Sequence, residues 1–309
     1  MIEIHNLKKT YNSSFSKIEA LKNISFKLEN GDILGILGPN GAGKSTLIKI
    51  LSTVVDKDSG EILIDNCSID NSNEYRKKFT VVMQDTSIES WLSVEENLKV
   101  YGKFYGISKK KLPYAINDVV NLFNLNKYRK KKASELSGGF RKRLQLAKSF
   151  LVNTPIMMFD EPTVGLDPFV KLKVIESLKK KSLDGKTIIF TTQILSEVES
   201  LCNKVMILSE GTILSKGHID DIKEKFEFKK KLIFQFENLT DELYKKALTI
   251  CKNKFIKRKS DSILFDLSMK NKNDKILIHK LLDTLNPISI SVKEPTFEEI
   301  FIDIVKEKL

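Results

Sequence analysis

The stretch from Leu136 to Pro168 constrains the fold more than any other part of this sequence. It begins with a Ser-Gly-Gly turn at the start of a predicted helix, and it continues into the apolar strand IMMFD. That strand ends on two adjacent carboxylates, Asp160 and Glu161, and a glycine-rich loop, GPNGAGKST, lies upstream at Gly38 to Thr46. The presence of these patterns in one chain, in this order, predicts a protein driven by ATP hydrolysis.

The glycine-rich loop is the predicted phosphate site. Residues Gly38 to Ser45 fit the pattern G-x-x-x-x-G-K-[ST] between a predicted strand and a predicted helix, which argues against an accidental turn. Glycines let several backbone N–H groups point inward, and the helix N-terminus adds positive potential. We expect Lys44 to reach the β- and γ-phosphates and Ser45 to ligate Mg²⁺. The predicted phosphate-binding residues are Gly38, Pro39, Asn40, Gly41, Ala42, Gly43, Lys44, Ser45 and Thr46.

The two carboxylates after IMMFD are predicted to act on metal and water. Asp160 can hold Mg²⁺, directly or through water, and Glu161 can orient and polarise the attacking water. The alternative for adjacent acids at a strand end is a helix N-cap, and the glycine loop and the Ser-Gly-Gly turn disfavour it.

The Ser-Gly-Gly turn places two glycines at the start of a helix. Ser137 is a good N-cap, but Gly138 and Gly139 lower helix propensity by about 1 kcal/mol each. That cost is explained if a phosphate approaches the backbone closely at this point. The alternative is a capped helix with no ligand.

Strand and helix patterns alternate along the first part of the chain, which predicts an α/β layer fold with a mainly parallel sheet. A helical insertion is predicted at about residues 88–135, with a capping box at Ser93 to Glu96. After about Lys225 the order β-α-β-β-α-β predicts a small α+β module. We therefore expect a domain over residues 1–225 and an accessory domain over residues 226–309.

Composition excludes several classes of protein. The sequence has no run of about 18 apolar residues, so we expect no membrane span. Its three cysteines are far apart, which indicates reduced cytosolic thiols rather than disulfides or a metal site. Basic clusters accompany the net charge of +12. They are interpreted as solvated surface or as attraction to an anionic membrane face, and no specific nucleic-acid partner is expected.

Over residues 1–225 these motifs resemble the ATP-binding cassette (ABC) family. The glycine loop resembles its Walker A motif, Gln84 its Q-loop glutamine and IMMFDE its Walker B motif. Leu136, Ser137, Gly138 and Gly139 resemble its signature, and Gly165 to Asp167 its D-loop. Tyr11 lies where the family places an aromatic residue that stacks on adenine, with Phe15 as an alternative. The implied fold is a P-loop NTPase of the ABC type, with a mainly parallel core sheet, an antiparallel β subdomain and a helical insertion.

The resemblance also implies an assembly. Two cassettes, here a homodimer, form a head-to-tail sandwich in which the signature of one copy acts on the ATP bound to Lys44 of the other. Ser45, Gln84 and Asp160 are the implied Mg²⁺ ligands. A separate membrane permease docks on the segment Ser87 to Tyr105, with Trp91 as a contact, so the chain is expected on the cytoplasmic face of the membrane.

Two positions depart from the family pattern. Position 140 is Phe where the signature usually continues with Gln, and Gln193 occupies the place of the switch histidine. A glutamine can donate a hydrogen bond to a γ-phosphate but carries no charge. Both departures, together with the C-terminal EPTFEEIFIDIV, resemble the daunorubicin-resistance type of drug-exporter ATPase, so we expect an active, Mg²⁺-dependent exporter subunit.

Three other functions stay open at this point. An ABC importer ATPase has the same motifs, and Gln193 leaves room for a hydrolysis-poor regulatory subunit. A soluble ABC ATPase of translation or repair is disfavoured, since the chain has one cassette and no long coiled coil. The cargo leaves no trace in an energy-supplying subunit.

Overall fold

A computed structural model describes residues 1–12, 17–84, 88–225, 231–251, 256–265, 267 and 272–306. The chain divides into two compact units, Met1–Ile219 and Asp220–Leu309. The strands are β1 (Ile2–Asn12), β2 (Lys17–Leu28), β3 (Ile33–Leu37), β4 (Ser59–Ile64), β5 (Cys67–Ser68), β6 (Phe79–Val82), β7 (Ile156–Asp160), β8 (Thr187–Thr191), β9 (Lys204–Ser209), β10 (Thr212–His218), β11 (Lys231–Gln235), β12 (Ile256–Lys259), β13 (Ser262–Phe265) and β14 (Ser289–Lys293). The helices are α1 (Lys44–Leu51), α2 (Ser72–Arg76), α3 (Val94–Phe104), α4 (Leu112–Leu122), α5 (Gly138–Leu151), α6 (Pro168–Leu183), α7 (Leu195–Leu201), α8 (Ile219–Lys225), α9 (Asp241–Cys251), α10 (Lys272–Leu285) and α11 (Phe297–Lys306).

The first unit is built on a six-stranded sheet in the order β10-β9-β3-β8-β7-β6. Strands β9, β3, β8, β7 and β6 pair in parallel, and β10 runs antiparallel at one edge, so the predicted mainly parallel sheet is confirmed. Strands β3, β7 and β8 are buried along their whole length, which explains their continuous apolar sequences. Because β3, β6, β7 and β8 are parallel, the loops that follow them meet at one edge.

A second, antiparallel sheet in the order β2-β1-β4-β5 accompanies the core sheet, as expected for the β subdomain. Its apolar residues, among them Ile2, Ile4 and Ile62, belong to the same buried cluster as Leu47 of α1 and Met158 of β7. This shared core fixes α1, and thus the glycine loop before it, against both sheets.

The helical insertion is formed by α3 and α4, which pack on α5. Phe123, at the end of α4, meets Phe150 of α5 edge to face, with ring centroids 5.3 Å apart. Among the helices within the described ranges, none is both long and apolar enough to cross a bilayer.

The predicted capping box at the start of α3 is confirmed: the Glu96 N–H donates to Ser93 Oγ, and the Ser93 N–H donates to Glu96 Oε2 at 2.8 Å. We expect Ser93→Ala to lower the free energy of unfolding by about 1 kcal/mol, since the first turn of α3 loses its cap. Chemical denaturation measures this loss. Ser90→Ala, at an exposed serine before the helix, is the matched control, and equal effects of the two changes would contradict the capping role.

The second unit contains a four-stranded antiparallel sheet in the order β12-β13-β11-β14. Strand β11, α9, β12, β13, α10 and β14 follow one another in the predicted order β-α-β-β-α-β, and α11 ends the described chain. Its core includes Phe234, Phe265 and Leu281, with the two phenylalanine rings 4.9 Å apart. This unit therefore has a hydrophobic core of its own.

Candidate functional site

A cavity of about 730 Å³ opens where the loops after β3, β6 and β7 meet. Its walls include the glycine loop from Asn40 to Thr46, together with Gln84, Glu161 and residues of β2 such as Ile18. The structure thus brings together residues that are up to 193 positions apart in the sequence, from Lys17 to Glu210.

The glycine loop wraps around the ammonium group of Lys44. Lys44 Nζ donates to the carbonyl oxygens of Gly38 at 2.7 Å and of Pro39 at 3.0 Å, and the side chain is only 6% exposed. Gly43 has a φ of 103° in the left-handed region, and a β-carbon there would lie 2.5 Å from the carbonyl oxygen of Ala20. Only glycine fits this position, so the loop is held in one shape by its sequence.

A single hydroxyl contacts both the Asp160 carboxylate and the backbone of Glu161. Thr191 Oγ1, at the end of β8, donates to the buried Asp160 carboxylate at 2.5 Å and accepts from the Glu161 N–H at 3.0 Å. Glu161 has a φ of 48°, which is unfavourable for a residue with a β-carbon. After this strained turn, Glu161 lines the cavity, whereas Asp160 is not among the described residues of the cavity wall.

The Glu161 carboxylate lies between two side-chain amides. Gln84 Nε2 donates to Glu161 Oε2 at 3.0 Å, and Gln193 Nε2 donates to Glu161 Oε1 at 3.0 Å. Gln193 Nε2 also lies 2.8 Å from Asn40 Oδ1 of the glycine loop. The structure therefore brings Gln84, Glu161, Gln193 and the glycine loop into one hydrogen-bonded group.

The negative charges of Asp160 and Glu161 influence the pKa values of two lysines. Burial lowers the pKa of Lys44, and the charges of Glu161 and Asp160 oppose that shift. Burial likewise lowers the pKa of Lys142 on α5, against the pull of the same two carboxylates. Lys142 was not singled out by the sequence motifs, because only the fold brings α5 close to β7.

The oxygen donors present suit Mg²⁺ bound together with a polyphosphate. Ser45 and Gln84 line the cavity, and Asp160 is buried beside Glu161, which gives a hydroxyl, an amide and a carboxylate oxygen. Mg²⁺ prefers oxygen ligands and is often held by few protein groups plus substrate phosphates. Within the described residues, His, Cys, Asp and Glu form no cluster of three or more that could hold a metal without such help.

The signature residues are separate from this cavity. Ser137 occupies the N-cap position of α5, with Gly138 and Gly139 as its first residues. A β-carbon at Gly138 would meet nothing within 4 Å, so this backbone is open to approach. Among the described residues that line the Lys44 cavity, none belongs to Leu136–Gly139.

The D-loop is attached to the signature helix. The Asp167 carboxylate caps α6 by accepting from the Val170 N–H at 3.1 Å, and it also accepts from the Arg143 guanidinium. The bond from Val170, followed by the charge of Arg143, lowers the pKa of Asp167. The guanidinium carbon of Arg143 lies 4.5 Å from the centroid of the Phe140 ring, and the centroid of the tilted Tyr128 ring lies 4.1 Å from it. The apolar residue at the unusual signature position thus supports Arg143.

Tyr11, the aromatic residue predicted to stack on adenine, lies near the cavity and not in its described wall. Tyr11 lies near the end of β1 and pairs with Ile18, which lines the cavity, and Lys9 Nζ lies 5.7 Å from the Tyr11 ring centroid. Tyr11 itself is not among the described residues of the cavity wall, so its role stays a prediction. The alternative, Phe15, lies outside the described residues.

Comparisons with known proteins agree with this site. A sequence model of the ABC transporter family matches residues 21–164. The linearmycin resistance ATP-binding protein LnrL of Bacillus subtilis is 27% identical, with 100% of this chain and 99% of that protein covered. The doxorubicin resistance ATP-binding protein DrrA of Mycobacterium tuberculosis is 31% identical (72% and 67% covered), and the Nod factor export ATP-binding protein I of Rhizobium etli is 33% identical (72% and 69% covered).

Solved structures show the same fold. The ATP-binding subunit of an ABC transporter aligns with a TM-score of 0.68 at 27% identity, covering 73% of this chain and 93% of that one. A dimeric ATP-binding cassette in a post-hydrolysis state, bound to ADP and Pi, aligns with a TM-score of 0.66 at 27% identity, covering 71% and 99%.

A mainly parallel sheet with a glycine loop after β3 and a carboxylate pair at the end of β7, with β8 between these two strands, defines a P-loop nucleotide-binding cassette. With relatives above 30% identity over two thirds of their length, the chain belongs to the ABC transporter family. The predicted resemblance to drug-exporter ATP-binding subunits is also confirmed by the resistance and export proteins among these relatives.

Proposed function

We propose that this chain is the ATP-hydrolysing subunit of an ABC exporter and powers a separate membrane permease. The observation that carries the proposal is the Glu161 carboxylate, held between the amides of Gln84 and Gln193 at the cavity that contains Lys44. A carboxylate so close to a phosphate site is costly unless it acts on water, which supports hydrolysis rather than binding alone.

Each residue of the cavity has a proposed role in the reaction. Lys44 and the backbone N–H groups of the glycine loop bind the phosphates, and Ser45, Gln84 and Asp160 would hold Mg²⁺, which supplies charge neutralisation when bound. Glu161 orients the attacking water. Since phosphoryl transfer needs little covalent chemistry from the protein, positioning and charge supply most of the lowering of the barrier.

Gln193 stands in the place of the family's switch histidine and can still donate a hydrogen bond toward the γ-phosphate. Its amide donates to Glu161, and it lies beside Asn40 of the glycine loop, where a γ-phosphate would lie within reach. A neutral amide can fix the carboxylate and donate to phosphate at any pH between about 5 and 9, because it does not titrate. This favours an active subunit over a hydrolysis-poor regulatory one.

The active assembly is proposed to be a homodimer of cassettes. Leu136 to Gly139 of one copy, with its D-loop residue Asp167, would complete the ATP site of the other. Support comes from the open backbone at Gly138 and from the separation of the signature from the cavity of its own chain. The dimeric cassette bound to ADP and Pi provides a structural precedent.

The permease is proposed to dock on the helical insertion, which holds the chain at the cytoplasmic face of the membrane. Exposed apolar side chains there include Trp91 at 67% and Phe104 at 83% exposure. The first residue of the predicted docking segment, Ser87, lies outside the described residues. Residues 1–225 would form the cassette, and residues 226–309 an accessory α+β domain. Export is favoured by the resistance and export functions in the names of the relatives.

ATP turnover by the full-length chain tests the catalytic part of the proposal. We expect phosphate release with Mg²⁺ and its loss when EDTA removes the metal, because the triphosphate charge is then not neutralised. A phosphate-release assay measures both. Turnover that persists in EDTA would contradict the proposed metal site. Absence of turnover with Mg²⁺, alone and with a co-expressed permease, would contradict the proposed activity.

Membrane vesicles that contain this chain and the permease test the direction. In inside-out vesicles, an exporter accumulates its cargo when ATP is added outside, whereas an importer releases it. ATP-dependent release would overturn export and leave the ATPase assignment intact.

A further inference from the structure

A buried carboxylate, Glu197 on α7, lies next to the proposed catalytic group and belongs to none of the recognised motifs. Its side chain is 1% exposed. Glu197 Oε1 accepts from Thr163 Oγ1 at 2.8 Å and pairs with Lys171 Nζ at 2.5 Å. Glu197 Oε2 accepts from Thr192 Oγ1 at 2.7 Å. Both carboxylate oxygens are therefore used, by three donors from three different segments.

Those segments are the ones that carry the proposed catalytic residues. Thr163 lies two residues after Glu161, and Thr192 directly precedes Gln193. Lys171 is on α6, whose N-cap is the D-loop residue Asp167. Thr192 Oγ1 also accepts from the Ile194 N–H at 3.0 Å, so the bond from Glu197 fixes the backbone on both sides of Gln193.

We propose that Glu197 is a positioning residue for hydrolysis, which sets the distance between Gln193 and Glu161 by binding the loop of each. The proposal rests on the proposed ATPase function. Glu197 touches neither substrate nor water in this role, and it acts through Thr163 and Thr192.

The chemistry of the site requires a carboxylate rather than an amide. An ionised carboxylate accepts at both oxygens, whereas a glutamine accepts at one oxygen and presents an NH₂ group at the other position. Glu197→Gln therefore keeps the shape of the side chain, but its NH₂ group cannot accept, so one of the two threonine hydroxyls must turn and accept a bond where it donated one. It also removes the charged partner of Lys171, whose side chain is 28% exposed.

The experiment measures ATP turnover and ATP affinity of the full-length chain. We expect Glu197→Gln to lower kcat by about 10- to 100-fold, as for other supporting residues behind a reactive group, with ATP affinity unchanged. Thr192→Val removes a single hydroxyl from the same contact and should lower kcat in the same direction. Glu176→Gln, at an exposed glutamate of α6, is the matched control and should turn over like the wild type.

A double-mutant comparison with Gln193→Ala separates positioning from general support of the fold. If Glu197 acts through Gln193, the double variant should be no slower than the slower single variant, because the two changes remove the same alignment. A multiplied loss, or an equal loss of ATP affinity and kcat, would overturn the inference. So would Glu197→Gln and Thr192→Val variants that both turn over at the wild-type rate.

The two proposals fail in different ways. A wild-type chain without ATPase activity overturns the proposed function, whatever the variants do. An active wild type with equally active Glu197→Gln and Thr192→Val variants overturns only the role of Glu197.

Discussion

Lys44→Ala should abolish ATP turnover, with a loss of at least about 100-fold in kcat/KM. Lys44 Nζ lies within the glycine loop, bonded to the carbonyl oxygens of Gly38 and Pro39, at the point where phosphate charge must be neutralised. Without this cation, Asp160 and Glu161 face the triphosphate with less opposing charge from their own chain. A phosphate-release assay gives the rate, and a fluorescent ATP analogue gives the affinity.

The loss should be chemical rather than structural. Removing a buried ammonium also removes the energetic cost of burying it, so the variant should unfold at a temperature close to that of the wild type. Lys49→Ala, on the same helix α1, is the matched control and should keep its activity. Wild-type turnover in Lys44→Ala would contradict the role assigned to the glycine loop.

Glu161→Gln should lower kcat by about 100-fold or more and leave ATP bound. The glutamine has the same size, but it offers one acceptor where the carboxylate offers two to Gln84 and Gln193. Water is then neither oriented nor polarised, while the phosphate-binding residues stay intact. With ATP and Mg²⁺, the variant should accumulate as a dimer with twice the 35.3 kDa mass of one chain, measured by light scattering.

Two controls test this dimer: a change of the nucleotide and the same substitution at another glutamate. ADP should leave the variant monomeric, since the γ-phosphate is absent. Glu176→Gln, at an exposed glutamate of α6, should behave like the wild type with either nucleotide. A Glu161→Gln chain that stays monomeric with ATP, even beside the permease, would contradict the proposed sandwich.

The sequence was sufficient for the parts of the site whose residues are close together along the chain. The glycine loop is continuous from Gly38 to Thr46, and its strand and helix are adjacent, so its chemistry could be predicted locally. Asp160 was predictable because a polar residue ends a strand that is otherwise apolar. The parallel sheet followed from the alternation of strands and helices.

The contacts between loops could not be predicted in the same way. The bonds from Gln84 and Gln193 to Glu161 join residues 77 and 32 positions apart, and they depend on the strand order of the sheet. Glu197 has no local signal, because an acidic residue in a short helix is usually a solvated one. Only its burial and its three partners distinguish it.

The attachment of the D-loop to the signature helix has a consequence for how two ATP sites would communicate. Arg143 donates a hydrogen bond to Asp167, and its guanidinium group also contacts the Phe140 ring. Gly139 packs closely against the D-loop, since a β-carbon there would lie 3.1 Å from the Gly165 carbonyl oxygen. In the proposed dimer, the D-loop and the start of the signature helix of each copy would then move together as one rigid element and not independently. Binding of ATP at one site would therefore change the affinity of the other site, and turnover would rise sigmoidally with ATP concentration.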